Sequence, residues 1–149
     1  MKMNKTGLPG LIRFGFADAQ MAFRKKKQIK CVIHQIFKDR DVSLKSLQYV
    51  FCSDHSLLDL NRRFLSHDTY TDIITFSLAE TGMPIEGEIY ISVDRVRENA
   101  QSLNIRLQSE VVRVIFHGAL HLCGFKDKSA AQKKEMRSQE DKYLSQIQF

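Results

Sequence analysis

The order of segments in this chain predicts an α+β fold, a small mixed sheet of four strands flanked by about five helices, built as one domain over residues 1–149. Three observations lead there. Strand-like stretches come first and in the middle, with helical stretches between them and then in succession. Glu110-Val-Val-Arg-Val-Ile-Phe116 is apolar on most sides, as expected of a central helix buried in a core. A length of 149 residues suffices for one sizeable core, and no repeat, low-complexity run or linker divides it.

The elements follow from local pattern. Leu11-Ile-Arg-Phe-Gly-Phe16 alternates bulky apolar residues with Arg13 and Gly15 and reads as a strand, Gly15 marking a bulge or a close approach. Ile29, Val32, Ile33, Ile36 and Phe37 recur at helical spacing, with His34 on the polar side. The preceding Arg24-Lys-Lys-Lys27 would oppose the helix macrodipole in a first turn, so a solvated loop is its expected setting. Leu47, Tyr49 and Phe51 alternate with Gln48, Val50 and Cys52 as a second strand.

Ser53-Asp54 can cap a helix whose inner face carries Leu57, Leu58, Phe64 and Leu65, and Asn61 on that face is expected to bond backbone in a neighbouring loop. Polar His67-Asp-Thr-Tyr70 leads into the strand Ile73-Ile-Thr-Phe-Ser77. Gly82 and Pro84 break the chain before Glu88-Ile-Tyr-Ile-Ser-Val93 returns as its antiparallel partner. Asp94 is the expected cap of a helix through Val96, Ala100 and Leu103, and the central helix begins near Leu107. Ser129-Ala-Ala-Gln132 is a capping-box pattern for a last helix with Met136, Tyr143, Leu144 and Ile147 as its buried stripe.

Composition sets the class. The content is 43% hydrophobic and 27% charged, ordinary for a globular chain. Leu8-Pro-Gly-Leu-Ile12 is too short and broken for a secretory signal and no segment could span a bilayer, so a cytoplasmic, membrane-free protein is expected. Three cysteines without paired spacing, Cys31, Cys52 and Cys123, point to reduced thiols. A formal charge of +6 favours an anionic partner such as RNA or DNA.

The chemistry concentrates in His117-Gly-Ala-Leu-His121-Leu-Cys-Gly124-Phe-Lys-Asp127. Four residues make slightly more than one helical turn, so His117 and His121 share a face and can direct ring nitrogens at one point. Gly124 can take positive φ and end the helix, which lets the chain fold back and offer Asp127 as a third ligand. Three protein ligands leave a tetrahedral ion one open position, the design of a catalytic zinc. Gly118 stands where H-E-x-x-H metalloproteases carry their general base, so peptide hydrolysis is disfavoured. Cys123, about 200° around the helix from His121, should pack as a small hydrophobe. Arg113 lies one turn before His117 on the same side, and Lys126 and Lys128 flank Asp127; each can bind phosphate or pair with a carboxylate, Glu110 being the near partner for Arg113. His55 and His67 read as surface residues.

This stretch resembles the signature H-G-x-L-H-L-x-G-Y-D-H of the YbeY family of metal-dependent endoribonucleases. Leu60-Asn61 with Thr71-Asp72-Ile73-Ile74-Thr75-Phe76 is similar to the family's L-N … T-D-V-L-S-F, and Gly87-Glu88-Ile89 to its G-D-I, so the likeness runs from about Val50 to Tyr143. The chain departs from the pattern twice. Asp127 stands at the family's third histidine, exchanging nitrogen for oxygen, and Leu65 stands where members carry an arginine that holds RNA phosphate, with Arg62 or Arg63 as substitutes.

The resemblance implies a zincin-like site with one Zn2+ per chain on His117, His121 and Asp127, and Arg63 as a stand-in substrate contact; by their positions beside it, Arg113 is expected to act with His117 in catalysis and Lys126 and Lys128 to meet substrate. It further implies a single-strand-specific endoribonuclease in 16S rRNA maturation and ribosome quality control, with ribosomal RNA and small-subunit ribosomal proteins as partners; the oligomeric state is left open, with a monomer favoured. The alternative function is a ribosome-associated RNA-binding protein whose metal is structural.

Overall fold

The computed structural model describes residues 10–65 and 71–148; His67 and the rest of the polar His67–Tyr70 lead lie outside them. The elements run β1 (Leu11–Phe16), α1 (Lys26–Asp39), β2 (Leu44–Cys52), α2 (Asp54–Leu65), β3 (Ile73–Ser77), β4 (Ile85–Ser92), α3 (Val93–Ser102), α4 (Leu107–Leu122) and α5 (Ala130–Leu144). The strands form one mixed sheet in the order β1-β2-β4-β3, with β1–β2 and β2–β4 parallel and β3–β4 antiparallel. The expected α+β layout with a mixed sheet and the antiparallel pairing of β3 with β4 are therefore observed.

Strand alternation sorts the sheet's two faces. Leu47, Tyr49 and Phe51 of β2 and Ile89 and Ile91 of β4 join the main core with α1, α4 and α5. On the opposite face Cys52, Ile74 and Leu57 of α2 form a smaller core, with Phe76 and Tyr90 against it. The central helix α4 is the best-buried element, Val111, Val112, Ile115, Phe116, Ala119 and Leu120 all being sealed from solvent. Tyr49 crosses from the sheet to donate its Oη–H to the Ile115 carbonyl at 2.8 Å, so its polar tip is satisfied inside the core.

Gly118 lets the helix lie this close. A Cβ built there would stand 2.9 Å from Ile89 Cδ1 and 3.0 Å from Ile73 Cδ1. The position after His117 thus faces the sheet, which is why a base cannot stand there.

Several local readings change: Phe64 and Leu65, read on the inner face of α2, and Leu103 at the end of α3 are exposed. Asp94 does not cap α3: β4 runs into the helix without a loop, so Ser92 caps it by accepting the Arg95 N–H at 3.2 Å. Asp94 instead accepts the Asp54 N–H at 2.8 Å and so serves the start of α2. Gly15 is no bulge, since it stays in register with Val50 and the irregularity falls between Leu44 and Ser46, but it is a close approach, a Cβ there standing 3.2 Å from Gln48 Nε2. In the basic run, Lys26 and Lys27 lie inside the first turn of α1, with Lys26 Nζ 5.1 Å from the centre of the Phe23 ring. The capping box of α5 forms as read, with Ser129 and Gln132 bonded reciprocally.

Candidate metal centre

The site is assembled by the way α4 ends. Gly124 takes φ +102, its N–H bonds the His121 carbonyl at 3.0 Å, and the Phe125 N–H bonds the Leu120 carbonyl at 3.1 Å. That pair of bonds is a Schellman motif, and it turns the chain back over the helix's last turn. The Phe125 carbonyl consequently meets His121 Nδ1 at 2.9 Å, and Asp127 comes over both imidazoles.

The three side chains converge. His117 Nε2 and His121 Nε2 are 2.9 Å apart, and Asp127 Oδ2 is 3.3 Å from the first and 3.4 Å from the second. Ligand atoms on a tetrahedral zinc with bonds of 2.0–2.1 Å stand about 3.3 Å apart, so the two distances to Asp127 fit and the His–His distance is tighter.

Protonation supports the same conclusion. A backbone carbonyl only accepts, so His121 carries its proton on Nδ1; His117 Nδ1 likewise faces a carboxylate oxygen, of Glu140, at 2.6 Å. With both rings neutral, the two Nε2 atoms point lone pairs at each other and at an anionic oxygen. Such a set of donors suits a metal ion placed between them, and among the described residues this is the one His/Cys/Asp/Glu group found that could hold one.

Behind His117 lies a buried ionic group. Arg113 donates from Nε and Nη2 to Glu110 at 2.7 and 2.5 Å and from Nη1 to Glu140 at 3.0 Å. Glu110 and Glu140 are 0% and 1% exposed. Burial pushes the Glu140 carboxyl up, but the bond from His117 and the Arg113 charge outweigh it and hold it below the usual carboxylate range. Burial also works against the Arg113 charge, and the two carboxylates more than compensate. Arg113 is thus engaged with carboxylates behind the histidine.

A cleft of about 450 Å³ opens on the other side of the ligands, lined by Asn61, Leu65, Thr71, Asp72, Ile73, Ile74, Thr75, His117, His121 and Asp127. Leu65 therefore faces the cleft at the position of the family arginine. Arg63 is not in its lining; it pairs with Asp59 at 3.2 Å on the surface of α2. Lys126 and Lys128 border a neighbouring depression with His121, Asp127, Ser129 and Gln132. Cys123 packs in the core as read, and burial pushes its thiol up to about 12.

Sequence reading missed Glu140. The signal was present, because Glu140 lies four residues after Met136 and three before Tyr143, on the buried stripe of α5. A carboxylate on such a stripe needs a cationic or N–H partner.

Fold and site together define an α+β protein whose central helix and the turn after it bring two histidines and a carboxylate to the mouth of a cleft, a set able to hold a metal ion. Similarity to known proteins is extensive. The family model for endoribonuclease YbeY matches residues 16–148, and the chain belongs to that family. Endoribonuclease YbeY of Cytophaga hutchinsonii is 46% identical over 132 residues, covering 89% of this chain and 92% of that protein. The Amoebophilus asiaticus protein of the same name is 42% identical over 127 residues, covering 85% and 86%. A solution structure of a Thermotoga maritima protein superposes with a TM-score of 0.61 at 28% identity, covering 91% of this chain and 88% of that one.

Proposed function

We propose that this protein is a zinc-dependent, single-strand-specific endoribonuclease that acts in 16S rRNA maturation and ribosome quality control in the cytoplasm, with ribosomal RNA and small-subunit ribosomal proteins as partners. The carrying observation is the approach of His117 Nε2, His121 Nε2 and Asp127 Oδ2 to within 3.4 Å of one another at an open cleft, in a chain of the endoribonuclease family. Among the described residues no helix is long and apolar enough to cross a membrane.

His117, His121 and Asp127 would hold the ion, which when bound supplies an acidified water and polarisation of a phosphoryl oxygen. The chain's own residues do the rest. The Phe125 carbonyl keeps the His121 ring oriented. A single RNA strand would run along the cleft wall formed by residues 71–75 and Asn61, beside the ligands. Lys126 and Lys128, which line a depression beyond Asp127, would meet phosphates of the same strand, and Arg63, now paired with Asp59, those reaching the outer face of α2. Asp127, with its side chain 40% exposed, leaves the ligand cluster open to solvent, which favours a catalytic over a structural ion.

The test is cleavage of single-stranded and duplex ribosomal RNA fragments by the purified chain, its His117→Ala variant and the chelated protein. Activity confined to single strands, lost in the variant and restored to the chelated parent by zinc, is the expected result. Equal cutting by a folded His117→Ala variant would overturn the assignment.

A further inference from the structure

The two histidines are oriented by different means. His121 sits in the last turn of α4, where the returning chain supplies a free carbonyl for its Nδ1. His117 lies a turn earlier, where the helix's own carbonyls are occupied by helical bonds, so its Nδ1 needs a side chain from another element. Glu140, 23 residues on and in α5, supplies it at 2.6 Å.

The remaining contacts of Glu140 fix the angle of approach. Its Oε2 takes the His117 bond while Oε1 takes Arg113 Nη1 at 3.0 Å, with Arg137 Nη1 further off at 3.8 Å. Arg113 in turn cannot swing, because its other two donors are held by the fully buried Glu110. A buried ion group of this kind is a weak source of stability, since apolar side chains could fill the same volume. What apolar side chains cannot supply is a negative oxygen aimed at one ring nitrogen.

We propose that Glu140 is a positioning residue for His117. It holds the imidazole in its Nδ1–H tautomer with Nε2 directed at the ligand point, and Arg113, clamped by Glu110, holds Glu140 in place. This assigns Arg113 a supporting part in the reaction in place of contact with phosphate. The inference rests on the metal reading of the site, and its experiment separates the two.

Zinc affinity of the purified full-length chain is measured by competition with a chromophoric chelator, and the His117 ring tautomer by 15N NMR of the metal-free chain. Glu140→Ala should weaken zinc binding about 10- to 100-fold and leave His117 a mixture of tautomers. Tyr143→Phe is the control for destabilising α5, since it removes only the bond from Tyr143 Oη to Asp39; it should lower Tm with zinc affinity unchanged. Should Glu140→Ala fail to fold, Glu140→Gln keeps the volume and loses the charge, and should weaken zinc binding several-fold. Parental zinc affinity in the folded Glu140 variant, or a parental tautomer in Glu140→Ala, overturns the proposal. If the parent binds no zinc but shows the Nδ1–H tautomer that Glu140→Ala loses, the metal reading fails and the positioning role stands.

Discussion

Replacing Gly118 by alanine tests whether the approach of α4 to the sheet is as close as described. The new Cβ would lie 2.9 and 3.0 Å from two atoms of Ile89 and 3.0 Å from Ile73 Cδ1. Comfortable carbon–carbon contact is about 3.5–4.0 Å, so at least about 0.5 Å must be found. Ile89 is fully buried and β-branched, which leaves its side chain few alternative rotamers. Overpacking of this kind costs about 1–3 kcal/mol, while exchanging glycine for alanine inside a helix returns about 1 kcal/mol. The balance is a destabilisation of about 1 kcal/mol. With a urea slope of about 2 kcal/mol/M, the denaturation midpoint should fall by roughly 0.5 M. Because an uncrowded helical glycine would give the opposite sign, a midpoint raised by Gly118→Ala would refute the close packing and the explanation for a missing base at 118.

Other consequences can be checked separately. Leu65→Arg places a cation on the cleft wall and should steepen the salt dependence of single-stranded RNA binding by about 0.7 in log–log slope, measured by anisotropy titration; an unchanged slope means that no phosphate passes Leu65. Burial pushes the thiols of Cys52 and Cys123 up to about 12, whereas Cys31 is exposed, so a disulfide reagent at pH 8 should label one cysteine in the native chain and all three after unfolding. Hydrogen bonds from Ser53 and Ser56 hold the Asp18 carboxyl well below its ordinary value. A lowered native pKa means that stability is present above the unfolded value and lost as pH falls, so the acid side of the Tm profile should decline from about pH 4 downward, and Asp18→Asn should flatten that decline.

How far local pattern reaches can be seen residue by residue. The strands, α4, the shared face of His117 and His121 and the break at Gly124 were legible, because side-chain period and glycine's access to positive φ are properties of adjacent residues. Family signatures added the expectation of an RNA-cleaving enzyme, and the match over residues 16–148 bears out the family. Asp94 was misplaced by local reasoning because Ser92 and Asp94 are both good caps, and only the direct join of β4 to α3 chooses between them.

The sequence by itself determined which residues lie together on one helix and which turn closes it. Only the tertiary structure decided what meets that helix from outside: Glu140 of α5 on His117, Leu65 of α2 in the cleft wall, and Arg63 turned toward Asp59. The physical reason is that periodicity specifies the direction of a side chain about its own axis, whereas a buried charge is placed by partners that packing brings from distant elements. Arg113 shows the difference, since one of its partners, Glu110, is within a turn and the other, Glu140, is brought by α5 from 27 residues away.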